Sequence, residues 1–105
     1  MKNEPMEKQY RDLLETENLV GRKSLGLMMN QVWIDDPKRL AFVFARYKFV
    51  AKMFQNFDTV LEVGCGDGFP SHIVAQAVKK LFLTDFDPLF VSEAQVNSKI
   101  GRAHV

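Results

Sequence analysis

The chain of 105 residues has the length of a single domain, and its 47% hydrophobic content, with nine Phe, is enough for a packed core. Its formal net charge of +1 provides no field that would attract nucleic acid or an anionic membrane surface. The single cysteine, Cys65, can form neither an internal disulfide nor, alone, a thiolate metal site. The first residues lack the apolar stretch of a signal peptide, and no apolar run approaches the ~20 residues that span a bilayer. We therefore expect a cytoplasmic protein without a metal site.

Residues 1–35 are predicted to form an N-terminal helix and arm, a possible lid. A polar helix is expected over residues 5–17, followed by a glycine-containing stretch at 21–26. Residues 27–34 are apolar without a clean period, which leaves a strand, a short helix and a packed arm all open. Within them, Trp33 either covers a ligand as part of a lid or fills the core.

Residues 36–97 are predicted to begin the ligand-binding domain. Asp36 is a good N-cap and Pro37 suits the first helical position, so a helix should start there and run to about Gln55. Its apolar positions follow helical spacing and are expected to face the core: Leu40, Val43, Phe44, Tyr47, Val50, Ala51 and Phe54.

Strands and helices should alternate after this helix. The predicted elements are a strand at Thr59–Val63, a short helix opened by Pro70, a strand at Leu81–Phe86, and a helix from Asp87-Pro88 to about Val96. Two strands joined by a helix form a βαβ unit with parallel, adjacent strands. The first strand is a short run of residues that favour β-structure, and it suits burial on both faces of a parallel sheet.

The segment VLEVGCGDG places Gly64, Gly66 and Gly68 directly after the first strand and before a helix. Glycine is needed where the backbone takes positive φ or lies against a ligand, and the helix N-terminus is expected to offer free N–H groups to an anion. Asp85 ends the second strand, 85 − 64 = 21 positions after the first glycine, close to the ~20 expected for a carboxylate that binds ribose hydroxyls. Asp87 is better placed to cap the following helix.

The loop sequence argues against a dinucleotide. The fingerprint G-x-G-x-x-G requires glycine at position 69, where this chain has Phe69. A pyrophosphate would also meet the carboxylates of Glu62 and Asp67 where it needs donors and positive charge. S-adenosylmethionine has no phosphate, and its sulfonium, ammonium and single carboxylate suit an acidic loop.

VLEVGCGDGF followed by LTDFDP resembles motif I and the acidic second-strand end of class I S-adenosylmethionine-dependent methyltransferases. The preceding DDPKRLAFVFARYKFVAKMF resembles the helix before motif I in a group of bacterial methyltransferases, so the similarity covers roughly residues 33–96. The resemblance implies an α/β, Rossmann-like three-layer fold and these cofactor-binding residues: Glu62, Gly64, Cys65, Gly66, Gly68, Asp85 and Phe86.

The resemblance also implies a role for each kind of residue in that set. The backbone of the loop glycines would lie against the methionine part of the cofactor. Glu62 would order the loop and the ammonium end, Asp85 would bind the ribose, and Phe86 would pack on the adenine.

Other residues have simpler interpretations. Cys65 is expected to be a small packed side chain rather than a nucleophile, even where its backbone borders the cofactor. His72 is expected to be structural or solvent-facing, or else to contact the cofactor edge. Arg39 and Arg46 belong to a solvated helix face, unless one of them reaches the cofactor carboxylate.

The function expected from the resemblance is methyl transfer to a small-molecule or sugar-like acceptor. The alternatives are an inactive S-adenosylmethionine-binding fragment and, less favoured, an NAD-dependent oxidoreductase. Any general base would come from later strands, so no catalytic residue is nominated. Residues 98–105 show no strand or helix pattern, and the fold is expected to be truncated after the second strand and its following helix. The tail at 98–105 is then either part of a fragment or a non-native addition. The unpaired edge at Thr59–Val63 should then make the chain poorly stable or self-associating. Because the loops on the acceptor side would be missing as well, no methyl transfer is expected.

Overall fold

The computed structural model describes residues 7–98 and the backbone of residues 103 and 104. Helices and strands alternate in the second half of the chain, as the sequence predicts. The elements in chain order are α1 (Lys8–Val20), α2 (Leu27–Asp35), α3 (Pro37–Met53), β1 (Thr59–Val63), α4 (His72–Ala75), β2 (Lys80–Thr84), α5 (Pro88–Asn97) and β3 (Ala103–His104).

The strands form one parallel sheet in the order β1-β2-β3. In the register of β1 and β2, Thr59 lies opposite Lys80 and Val63 lies opposite Thr84. The two carboxyl ends therefore meet at the same edge of the sheet, and the segments that follow them are neighbours. The predicted parallel pairing of β1 and β2 is confirmed.

The third strand was not predicted. Ala103 lies opposite Leu81, and His104 lies opposite Phe82. The prediction that residues 98–105 contain no strand is wrong for these two residues, because a two-residue strand is too short to show alternation and is defined by its partner. Residues 99–102 and 105 lie outside the described part of the chain.

The core lies on one face of the sheet. Leu81 and Leu83 of β2 are buried there with Ala51 of α3, Val74 of α4 and Ala94 of α5. Burial of β1 on both faces, which the sequence favours, is wrong for the described residues.

The uncovered face of β1 carries Leu61, 60% exposed, and Val63, 80% exposed. The described helices that contribute to the core all pack against the opposite face, which explains this exposure. Within the described residues β1 pairs with β2 alone, so its outer edge is unpaired, as predicted.

Both Asp-Pro pairs start helices as predicted. Asp36 accepts a hydrogen bond from the Lys38 backbone N at 3.2 Å, and Pro37 is the first residue of α3. Asp87 accepts one from the Leu89 backbone N at 3.0 Å at the start of α5. Each aspartate satisfies a backbone donor that the helix itself leaves free.

The N-terminal helix begins at Lys8 and ends at Val20, later than the predicted 5–17, and residues 5 and 6 lie outside the described part. No residue of α1 is buried. For residues 27–34 the sequence allows a strand, a short helix or a packed arm. The structure shows a helix, Leu27–Asp35, whose buried residue is Met29.

Candidate functional site

The loop between β1 and α4, residues 64–71, holds its three glycines at positive φ: 75° at Gly64, 60° at Gly66 and 74° at Gly68. Their surroundings differ. A Cβ at Gly64 would have nothing within 4 Å, whereas one at Gly66 would lie 2.6 Å from the Sδ of Met28. The loop is therefore open at Gly64 and covered by α2 at Gly66.

Gly68 serves packing as well as the turn. A Cβ there would lie 3.1 Å from the Cβ of Ala94 in α5. The close approach of loop and helix at this point needs a residue without a side chain.

The amide groups of the loop are largely satisfied within the protein. Thr84 O accepts from the Gly64 N at 2.8 Å and from the Cys65 N at 2.9 Å. The Gly68 N donates to Cys65 O at 3.2 Å. The expectation that this loop and the following helix offer a set of free N–H groups to an anion is therefore wrong for these amides, and α4 is only four residues long.

Asp85 ties the end of β2 to the glycine loop. Its Oδ2 accepts from the Gly66 N at 3.0 Å, and its Oδ1 accepts from the Asp87 N at 3.0 Å. A carboxylate offers about four acceptor positions, so roughly two stay available for ligand hydroxyls. The carboxylate thus has a structural role that its position in the sequence did not reveal.

Glu62 is fixed by two hydroxyl groups. Its Oε2 accepts from the Tyr47 hydroxyl at 2.6 Å, and its Oε1 accepts from the Ser71 hydroxyl at 2.6 Å. Burial, and then the hydrogen bond and charge of Glu62, raise the pKa of Tyr47 well above its ordinary value. The phenol therefore stays protonated as a donor, and Glu62 joins α3, β1 and the segment before α4.

The sequence pattern indicates a core position for Tyr47 and no role for Ser71. Ser71 is in fact fully buried, with 0% exposure. Its signal in the sequence was weak, because Ser71 is a lone hydroxyl residue directly after Pro70 and its acceptor, Glu62, lies nine residues earlier.

Asp67 turns into the protein rather than toward a ligand. It is 1% exposed and accepts from the Met29 N at 2.9 Å and the Phe69 N at 3.0 Å. Its own backbone oxygen accepts from the Asn97 side-chain amide at 2.8 Å. The expectation that the Asp67 carboxylate would face a pyrophosphate is therefore wrong, because this side chain points into the protein.

Cys65 is buried between two of the glycines and belongs to the hydrophobic core. Burial, followed by the negative charges of Glu62 and Asp85, raises the pKa of its thiol from 9.0 to about 11. A protonated, buried thiol is not a nucleophile near neutral pH, which agrees with the expectation of a packed side chain.

Aromatic side chains belong to both segments that meet at this edge, the glycine loop and the end of β2. Phe86, directly after Asp85, is 100% exposed. The rings of Phe69 and Phe44 stack with centroids 6.1 Å apart. These two rings and His72 line a pocket of about 300 Å³, to which Lys23 also contributes.

Three further candidates are exposed. Trp33 is 52% exposed, so it does not fill the core of the described structure. Arg39 and Arg46 are exposed on α3, as expected of a solvated face. Arg46 also lines a second pocket, beside Tyr47 and Glu62.

Within the described ranges, no helix has both the length and the apolar character of a membrane span. The same part of the chain contains no group of three or more His, Cys, Asp or Glu arranged to hold a metal ion.

Among known proteins, no family model, curated protein or solved structure matches the chain.

Proposed function

We propose that this chain is the S-adenosylmethionine-binding half of a class I, Rossmann-like methyltransferase that acts on a small-molecule acceptor. One observation carries the proposal. A glycine loop that is open at Gly64 lies against Asp85 at the end of the neighbouring parallel strand, joined to it through the Gly66 amide at 3.0 Å. Ligands of parallel α/β sheets bind beyond such strand ends, and a carboxylate there suits ribose.

The hydrogen bonding of the loop favours a nucleoside without phosphates. A pyrophosphate site needs several free backbone donors, but those of Gly64, Cys65 and Gly66 are already engaged within the protein. Position 69 is Phe, so the third glycine of the dinucleotide fingerprint is absent. The charge of Asp67 plays no part in this preference, because its carboxylate is buried.

The available groups fit S-adenosylmethionine. The uncommitted acceptor positions of Asp85 suit two ribose hydroxyls, and the exposed ring of Phe86 offers a face for adenine. The backbone at Gly64 can approach the methionine part closely because nothing covers it. Cys65 can take part only through its backbone, since its side chain is buried.

When bound, S-adenosylmethionine supplies an electrophilic methyl group and its own leaving group. The protein's contribution is then mainly to hold and orient. Glu62 serves this indirectly, because its contacts with Tyr47 and Ser71 fix the strand end from which the loop departs. The cytoplasmic location expected for a chain with one free cysteine belongs to the same proposal.

Calorimetric titration tests the assignment. The purified chain should bind S-adenosylhomocysteine with 1:1 stoichiometry and should bind NAD more weakly. Tighter binding of NAD would favour the oxidoreductase alternative and would overturn the proposal. Binding of S-adenosylhomocysteine without transfer of a radiolabelled methyl group to any acceptor would identify the inactive binding fragment.

A further inference from the structure

The N-terminus of α2 is capped by carboxylates from distant parts of the chain. Its N-cap residue is Gly26, which has no side chain to accept a hydrogen bond. Instead, both carboxylate oxygens of Glu93 in α5 accept from the Leu27 N, at 2.9 and 3.2 Å. Asp67 of the glycine loop accepts from the Met29 N at 2.9 Å. Two side chains, 66 and 38 positions away, thus take over the capping of this helix.

These contacts belong to one segment, residues 21–29, which we call the arm. Next to the two capped amides, Met28 covers Gly66, and the backbone of Gly26 lies directly against Asp67. Lys23 donates to the backbone oxygen of Asn97, at the end of α5, at 3.3 Å. The arm is therefore attached both to the loop and to α5.

Apolar burial in the arm is limited to two side chains, the buried Met29 and the half-buried Leu25. Leu27 is 52% exposed and Met28 is 46% exposed. A segment with so few buried apolar side chains opens at lower free energy than the core does. The hydrogen bonds that the Glu93 and Asp67 carboxylates accept from the arm are thus the polar contacts that hold it in place.

We propose that the arm is a lid over the glycine loop and that the Glu93 carboxylate is its latch. Release of the arm uncovers Gly66 and removes Lys23 from the wall of the pocket lined by Phe44, Phe69 and His72. Opening extends the ligand's access from Gly64 to the Gly66 part of the loop, and closing covers that part again. The latch follows from the contacts of the arm, and only the identity of the ligand rests on the proposed function.

Limited proteolysis measures the opening directly, because trypsin cleaves after Arg22 and Lys23 within the arm. Glu93→Ala removes the acceptor and should accelerate cleavage at these two sites about tenfold or more. Cleavage after Lys80, in β2, reports opening of the core and should change by less than about twofold. Glu15→Ala, on the exposed surface of α1, is the matched control and should leave the arm rate unchanged.

A second variant removes the donor instead of the acceptor. Leu27→Pro deletes the N–H at the first position of α2, where proline is compatible with a helix, and the extended backbone of Gly26 suits a residue before proline. This variant should also accelerate cleavage in the arm. The double variant Leu27→Pro/Glu93→Ala should be cleaved no faster than Glu93→Ala alone, because both changes remove the same hydrogen bond.

Three results would refute the latch. The first is that Glu93→Ala is cleaved in the arm at the rate of the unmodified chain. The second is that the effects of the two single variants multiply in the double variant, and the third is that Glu93→Ala accelerates cleavage after Lys80 as much as cleavage in the arm. The lid is tested by adding S-adenosylhomocysteine, which should slow cleavage in the arm. Binding seen by calorimetry without protection of the arm overturns the lid. If calorimetry shows no binding, the proposed function fails, while the proteolysis of the variants still decides the latch.

Discussion

Replacement of Asp85 by Ala should weaken both the fold and ligand binding, and the two effects can be measured separately. The carboxylate accepts from the Gly66 N and the Asp87 N, both at 3.0 Å. Hydrogen bonds to a charged acceptor contribute about 1.5–3 kcal/mol each, and the partial exposure of Asp85 favours the lower end, so the loss should be about 2–4 kcal/mol. For a chain of this length, that corresponds to a fall in Tm of roughly 10–20 °C.

The effect of Asp85→Ala on affinity comes from the acceptor positions that the two amides leave free. Two ribose hydroxyls bound there imply that the Kd for S-adenosylhomocysteine rises about a hundredfold or more. Urea denaturation without ligand measures the loss of stability, and calorimetry well below the Tm measures the loss of affinity.

Asp87→Ala is the matched control for Asp85→Ala. It removes the cap of α5, at a cost of about 1 kcal/mol, and should leave the Kd unchanged. An unaltered urea midpoint in Asp85→Ala would refute the structural role of the carboxylate. An unaltered Kd, or an equal loss of affinity in Asp87→Ala, would remove Asp85 from the ligand site.

Tyr47→Phe and Ser71→Ala should each destabilise the fold by about 1–3 kcal/mol in urea denaturation, and the double variant by more than their sum, because each single variant leaves Glu62 one hydroxyl donor and the double variant leaves neither. Strict additivity would contradict a shared acceptor. Because the pKa of Cys65 is raised in the folded state from 9.0 to about 11, its contribution to stability is complete below pH 9 and is lost as the pH rises to 11. Urea midpoints of the unmodified chain and of Cys65→Ala, followed from pH 8 to 11, should therefore fall more steeply for the unmodified chain, and parallel curves would argue against the raised pKa. The exposed apolar face and the unpaired edge of β1 should cause concentration-dependent self-association in sedimentation velocity, reduced by Leu61→Lys. A monomer at all concentrations would show that this face does not promote association.

The elements that the sequence predicts well are those whose signals are local. Asp36 and Asp87 each precede a proline and cap the next helix, so three consecutive residues contain the whole motif. The glycine loop is equally local, because Gly64, Gly66 and Gly68 all adopt the positive φ that their spacing indicated.

The parts that were missed depend on partners far along the chain. The N-terminus of α2 is capped by Glu93 and Asp67, so residues 27–34 contain no start signal of their own. The two-residue strand β3 exists only through its pairing with β2.

The exposed face of β1 could not be predicted because Leu61 and Val63 are as apolar as a buried strand requires. The hydrogen bonds that satisfy the loop amides were also hidden, since they involve Thr84 and Asp85 of the neighbouring strand. For the site, the sequence therefore indicated which segments meet but not which of their groups remain free for a ligand.

The most direct test of the account is an NMR titration of the ¹⁵N-labelled chain with S-adenosylhomocysteine, since it reports binding and its location together. The largest amide shifts should occur at Gly64, Gly66, Asp85 and Phe86, with no change along α1. The claim is that the edge formed by the glycine loop and the end of β2 binds the nucleoside. Saturable binding with amide shifts elsewhere would contradict this claim, and so would the absence of any shift at the highest ligand concentration of the titration.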